Sequence, residues 1–256
     1  MSDFDRNYSA VRGFGADRAA VIDQGLRAHM IRVYNYMAGG VALTGVVAWL
    51  VYQAAGGDAI QVSGRFVTGL TPFGQAVFQG PLMFVFLFAP VGLGLYLIFR
   101  MGSMQASTAR LLFFVYAGLF GLGLASIFLS YTQASLARVF FISAASFGAL
   151  SLWGYTTRRN LDAMGSFLVM GLIGILIASI VNFFLASGAL QFVISVGGVL
   201  VFAGLTAWDT QTIKDMYDPM DDGTVAGRKA VYGALKLYLD FINLFLFMLQ
   251  LFGDRR

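Results

Sequence analysis

The last long apolar run of the sequence, residues 231–252, contains the segment LYLDFINLF at positions 237–245. As a helix, this run of 22 residues is about 33 Å long, which is enough to cross the hydrocarbon core of a bilayer. A carboxylate inside such a helix is energetically costly and is usually retained for a function. Asp240 is therefore a candidate functional residue.

The preceding apolar run, residues 190–213, carries a second carboxylate, Asp209. Asp209 lies nine residues before Asp218, where the helix is expected to end, and Asp240 lies eleven residues after Lys229. These spacings correspond to depths of about 14 and 17 Å from the helix ends. Because consecutive spans are antiparallel, we expect the two carboxyl groups to lie at a similar depth.

Two neighbouring carboxylates in a low dielectric do not easily ionise together, so they share a proton and titrate as a coupled pair. Such a pair is sensitive to pH and offers oxygen ligands for a transient contact with Ca²⁺. The alternative is purely structural, with each Asp capping a neighbouring helix or pairing with an Arg.

Other polar residues accompany the two carboxylates on their helices. Lys236 and Asn243 share a helix face with Asp240, and Thr206 and Thr210 flank Asp209. Lys236 either forms an ion pair with Asp240 or extends to the membrane interface, and the second alternative is favoured.

The composition is that of a membrane protein. The chain has 256 residues, of which 58% are hydrophobic and 12% charged, and its mean hydropathy is +0.75. A soluble domain has about 25% charged residues, so a soluble enzyme, a nucleic-acid-binding protein and a disordered regulator are excluded. The absence of Cys and the single His29 leave no basis for a resident metal or other cofactor.

Seven apolar runs are long enough to cross a membrane, which predicts an all-α polytopic protein with seven transmembrane helices. A single domain at 31–253 is expected after a cytoplasmic N-terminal arm at 1–30. Asn182, in the fifth run, is expected to form a hydrogen bond between helices. The predicted spans are 31–54, 79–99, 111–131, 139–155, 165–185, 190–213 and 231–252.

The basic residues predict the orientation of these spans. Twelve of the 17 Lys and Arg residues lie in the arm, at the start of the first span, or around the second, fourth and sixth connections. The positive-inside rule therefore places the N-terminus in the cytoplasm. Seven full spans place the C-terminus outside, which we favour over a re-entrant last segment.

Three segments of the sequence resemble the Bax inhibitor-1 family. The most specific is LYLDFINLF at 237–245, and WDTQTI at 208–213 is the second. The third begins with RRNL at 158–161 and continues through GSFL at 165–168. The resemblance extends from about residue 24 to the end of the chain.

The resemblance implies a fold in which the seventh helix is central, and a pH-sensitive calcium leak through the membrane. It implies that Asp209 and Asp240 form the pH sensor. It also implies that an Arg at the end of the second span latches onto the sixth-span Asp in the closed state, and Arg100 is the candidate.

Two other functions are alternatives to the leak channel. An intramembrane aspartyl protease also uses two Asp residues, but it requires Gly-x-Gly-Asp where this chain has LYLD at 237–240. No enzymatic activity is therefore expected. The second alternative is a regulator of a partner protein. The resemblance suggests it, because some bacterial relatives are known as modulators of a membrane-bound ATP-dependent protease and eukaryotic relatives as cell-death suppressors. The N-terminal arm would be its contact surface. We expect a monomer in a bacterial inner membrane, surrounded by lipid and without nucleic acid.

Overall fold

The computed structural model describes residues 3–63 and 66–256, with side chains for residues 22–62 and 67–256. A two-stranded antiparallel hairpin is formed by β1 (Gln61–Ser63) and β2 (Phe66–Thr68). The helices are α1 (Asp3–Ala54), α2 (Pro72–Phe78), α3 (Leu82–Arg100), α4 (Ala106–Leu124), α5 (Ile127–Ser130), α6 (Gln133–Thr156), α7 (Asp162–Leu185), α8 (Gly188–Asp215) and α9 (Gly223–Phe252).

Within the described residues, seven helices are long and apolar enough to cross a membrane, which confirms the predicted fold class. The predicted first span, 31–54, is the last part of a longer candidate span, Ile22–Ala54. The helix thus continues through the expected boundary between the arm and the domain. The side chains of residues 1–21, which form most of the predicted arm, lie outside the described residues. The predicted third span is interrupted after α4, and α5 continues it.

Helix α9 lies at the centre of the bundle and packs against α1, α4, α6 and α8. In the most apolar part of α9, 56% of the residues are buried inside the protein, whereas the corresponding fraction is 11% in both α3 and α7. A helix surrounded by other helices must be apolar on most of its circumference, and a charged residue on it must find a partner within the protein. The expected central position of the seventh helix is confirmed.

Helix α9 crosses the whole bundle. Near its start, Arg228 Nη1 donates a hydrogen bond of 2.7 Å to the carbonyl of Gly102, in the α3–α4 connection. Just after its end, the carbonyl of Asp254 accepts a hydrogen bond of 3.1 Å from the backbone N–H of Thr132, in the α5–α6 connection. We call the end of the bundle where α9 begins, which contains the α3–α4, α6–α7 and α8–α9 connections, the basic end. We call the opposite end, where α9 finishes, the hairpin end. The last span is therefore a full crossing and is not re-entrant.

Short polar side chains set the starts of three of these helices. Asp222 Oδ1 accepts a hydrogen bond of 2.7 Å from the N–H of Val225 at the start of α9. Ser187 and Thr132 cap α8 and α6 in the same way. Each cap satisfies a backbone donor that the first helical turn leaves without an internal partner.

Candidate functional site

A cavity of about 510 Å³ lies between α7, α8 and α9, with Ile98 of α3 at its edge. Its walls from α7 are mainly aliphatic, while α8 and α9 contribute the charged groups. We call it the aspartate cavity. Its polar and aromatic lining residues other than Phe are Ser179, Trp208, Asp209, Tyr232, Lys236, Asp240 and Asn243.

Two glycines fix the rotation of α8 and thereby the direction of Asp209. A Cβ atom at Gly154 of α6 would overlap the carbonyl oxygen of Ala207, and a Cβ atom at Gly165 of α7 would overlap the indole of Trp208. Residue 207 therefore faces α6 and residue 208 faces α7. Since successive helical residues are rotated by about 100°, the next residue, Asp209, faces α9.

Asp209 on α8 and Asp240 on α9 line the same cavity. Both residues are buried, with 5% and 4% of their surface exposed. Ionised carboxylates only accept hydrogen bonds, so a hydrogen bond between them requires a proton on one of the two. Oδ2 of Asp240 has no hydrogen-bond partner among the described residues. The structure thus brings together the two residues proposed from the sequence, in an arrangement suited to sharing a proton.

Lys236 forms an ion pair with Asp209, its Nζ lying 2.6 Å from Oδ1. The same ammonium lies 5.0 Å from the ring centroid of Trp208 and 5.9 Å from that of Tyr232, which are cation–π contacts. The sequence favoured extension of Lys236 to the interface, with a pair to Asp240 as the alternative, and both predictions are wrong. Because α8 packs tightly against α9 at this level, the flexible lysine stem reaches a carboxylate on the neighbouring helix.

Arg100 does not form the expected latch in this structure. It is exposed at the end of α3, and no salt bridge joins it to Asp209 among the described side chains. The position beside Asp209 that the family resemblance implied for an arginine of the second span is taken by Lys236 of the last span.

The other proposed polar residues divide into two groups. Asn243 lines the aspartate cavity and donates a hydrogen bond of 2.8 Å to the carbonyl of Leu239. Thr206 and Thr210 do not line it, because each hydroxyl donates a bond of 2.7 Å to the carbonyl four residues earlier. Thr210 also bonds the hydroxyl of Ser151 on α6 at 2.8 Å. Thr210 therefore joins α8 to α6, whereas the hydroxyl of Thr206 bonds within α8.

A polar cluster at the hairpin end was missed by the sequence analysis. Gln250 Oε1 accepts hydrogen bonds from Gln191 Nε2 at 2.7 Å and Ser195 Oγ at 2.8 Å, joining α9 to α8. Asn182 Nδ2 donates to Gln191 Oε1 at 3.0 Å and joins α7 to α8, so its expected interhelical hydrogen bond is confirmed. Gln250 could have predicted this cluster from the sequence, because it lies seven residues after Asn243 and thus on the same face of the last span.

The two carboxyl groups offer fewer ligands than a resident calcium ion takes. Calcium takes six to eight oxygen ligands. Among the described residues, no group of three or more His, Cys, Asp or Glu side chains is placed to hold a metal ion. The Asp pair supplies two carboxyl groups, one of them already paired with an ammonium.

These features define a class: a seven-helix membrane protein with a buried aspartate pair beside a central last helix. Residues 26–256 match the sequence model of Bax1-I, described as an inhibitor of apoptosis-promoting Bax1. The chain belongs to the Bax inhibitor-1 family.

Three bacterial relatives illustrate the similarity. An uncharacterized protein of Rickettsia prowazekii is 45% identical over 234 residues, covering 91% of this chain and 92% of that protein. A protein of Caulobacter vibrioides is 43% identical over 263 residues, covering all of both chains. The inner membrane protein YbhL of Escherichia coli is 42% identical over 235 residues, covering 91% of this chain and 94% of that protein.

Proposed function

We propose that this protein is a pH-sensitive calcium leak channel of a bacterial inner membrane, with the aspartate cavity on the ion's path. The observation that carries the proposal is the pair of buried carboxyl groups in a cavity beside the central helix. Ionisable groups at this depth are costly, and a channel for cations gives a physical reason to retain them. A calcium leak is also the function that the resemblance to the Bax inhibitor-1 family implies.

In the closed state, Lys236 occupies the place that a cation would take. Its ammonium neutralises Asp209 and contacts two aromatic rings, so a calcium ion must displace it to reach the carboxylates. Towards the hairpin end, the cavity wall contains the apolar side chain of Phe247 before the polar cluster at Gln250 is reached. The path is closed in both directions.

Protonation opens the path by removing the partner of Lys236. When the Asp pair gains a second proton, Asp209 is neutral and the lysine ammonium is left unpaired in a partly buried site, which is unfavourable. Lys236 then extends towards the basic end, where water solvates its charge, and vacates the cavity. Helices α3 and α7, which flank the cavity and bury little of their surface, can move without loss of a large core.

The orientation follows from the basic residues. The basic end of the bundle faces the cytoplasm under the positive-inside rule, so calcium enters from the hairpin end. A bacterial inner membrane is the proposed location because the relative YbhL is named as an inner membrane protein.

The test is calcium influx into liposomes that contain the purified protein and an entrapped calcium indicator, recorded at about pH 6 and about pH 8. We expect faster influx at the lower pH for the wild type and loss of the pH dependence in Asp240→Asn. Asp254→Asn is the matched control, because it changes an exposed carboxylate paired with Arg138. Influx equal to that of empty liposomes at both pH values would overturn the proposal.

A regulator that acts on a partner protein is the second candidate, and the family description as an inhibitor of Bax1 favours it. Its proposed contact surface is the N-terminal arm, residues 1–30, and its proposed partner a membrane protein such as an ATP-dependent protease. A chain lacking residues 1–21 separates the two functions. It loses the effect on a partner if the arm carries it, and it retains calcium influx if the cavity carries that activity.

A further inference from the structure

Helices α1 and α6 are neighbours that do not pack closely, and two cavities follow one another between them. The cavity near the basic end measures about 610 Å³ and is lined only by α1 and α6. The cavity near the hairpin end measures about 350 Å³, and its lining includes Phe241, Ile242 and Phe245 of α9. We call the two together the apolar seam.

The seam runs along most of the membrane-spanning length of α1. Its lining on α1 extends from Arg27 to Trp49, which corresponds to about 33 Å of helix, close to the thickness of a bilayer's hydrocarbon core. One direct hydrogen bond crosses it within the described residues, between the hydroxyls of Tyr34 and Ser151 at 2.7 Å. The remaining lining is almost entirely apolar.

Small residues leave the seam open. Gly45 of α1 and Gly148 of α6 line it, and a Cβ atom built at either position meets no atom within 4 Å. In membrane proteins, glycines commonly allow two helices to approach closely. At Gly154, six residues further along α6, two helices do approach closely, because a Cβ atom there would overlap the backbone of Ala207. The seam glycines border open space.

A positive charge stands at the basic end of the seam. Arg27 lines the larger cavity, is exposed, and has no salt bridge among the described side chains. Basic pockets between transmembrane helices on the cytoplasmic side of a membrane, where the proposed orientation places the basic end, bind acidic lipid headgroups.

We propose that the apolar seam binds one phospholipid with an acidic headgroup, with its phosphate at Arg27 and an acyl chain between α1 and α6. The lining favours a lipid over a partner helix, because it is almost entirely apolar and has an exposed basic side chain at one end. A narrow, flexible chain fits a space of this shape.

The experiment is native mass spectrometry of the full-length protein, transferred from detergent containing equal amounts of phosphatidylglycerol and phosphatidylcholine with identical acyl chains. The wild type is expected to retain one phosphatidylglycerol with at least a fivefold preference. Arg27→Gln is expected to abolish this preference, giving a ratio of about one. Gly148→Leu is expected to reduce the retention of both lipids by at least fivefold.

Two variants outside the seam serve as controls. Arg110→Gln removes an exposed charge at the basic end on α4, and Gly174→Leu adds a side chain to open space on α7. Both are expected to behave as the wild type. The proposal is overturned if the wild type has no preference, if Arg27→Gln retains it, or if Gly148→Leu retains lipid like Gly174→Leu. Retention of a second protein chain in place of lipid also overturns it.

Discussion

The two sides of α9 differ in their chemistry. On one side, the aspartate cavity contains three ionisable groups, Asp209, Lys236 and Asp240, within the protein. On the other, the apolar seam has Phe241 and Phe245 at its base and a charge only at its rim. Charges are retained inside the bundle where α8 and α9 pack closely enough for one helix to supply the counter-ion of the other. Where two helices stay apart, the lining is apolar and suits lipid.

The largest stability effect is expected for Lys236→Met, which leaves Asp209 buried without its counter-ion. Breaking a buried ion pair by removing one partner costs about 3 kcal/mol or more. The midpoint of thermal unfolding in detergent at neutral pH should therefore fall clearly. The double variant with Asp209→Asn should recover most of the loss, because it removes the uncompensated charge. A single variant as stable as the wild type would show that the pair contributes little to the closed bundle.

The second prediction compares the stability changes caused by alanine at two glycines of α6, one packed against a helix and one beside open space. Gly154→Ala should destabilise the protein by about 1–3 kcal/mol, because its methyl group meets the backbone of α8. Gly148→Ala should be neutral or slightly stabilising, since the seam accommodates the methyl group and Ala favours the helix. The measurement is again thermal unfolding, and equal losses in the two variants would mean that the seam is as tightly packed as the α6–α8 contact.

The sequence predicts the charged side of α9 better than the apolar side. Asp209 and Asp240 stand out because a carboxylate in an apolar run is rare, and their spacing from the helix ends predicts a common depth. The partner of Lys236 could not be predicted, because it depends on the rotation of α8, which is set by the contacts of Gly154 and Gly165 with their neighbours.

The apolar seam could not be predicted from the sequence. Its lining consists of apolar and small residues that are typical of any transmembrane helix. The sequence does not reveal that Gly148 borders open space whereas Gly154 borders a helix backbone. Only the path of α1 relative to α6 distinguishes them, and that path depends on how both pack around α9.

A smaller effect is expected for Tyr238→Phe. Tyr238 is fully buried, and its hydroxyl lies 2.7 Å from that of Thr44, which lines the seam. Thr44 keeps its second hydrogen bond, of 2.8 Å, to the carbonyl of Ala117. The variant should lose about 1 kcal/mol, as is typical of one neutral hydrogen bond, again from thermal unfolding. A loss equal to that of Lys236→Met would contradict the distinction between the two sides of α9.

The smallest effect is expected for Arg138→Gln at the hairpin end. The pair between Arg138 and Asp254 has a distance of 2.7 Å, close to that of Lys236 and Asp209, but both of its side chains are more than half exposed. Water and salt screen such a pair, so its removal should change the stability by less than about 0.5 kcal/mol. Unfolding midpoints measured at low and high salt should stay close to those of the wild type, and a loss above 1 kcal/mol would require another role for this arginine.

The most direct test of the central claim is calcium influx through Lys236→Met in liposomes at about pH 8, compared with the wild type and with Lys229→Met. Lys229 forms the matched pair with Asp221 outside the aspartate cavity. If the lysine ammonium closes the cavity through Asp209, Lys236→Met should leak at about pH 8 as fast as the wild type does at about pH 6, while Lys229→Met keeps the wild-type pH dependence. Influx through Lys236→Met that equals the wild type at both pH values would contradict the account.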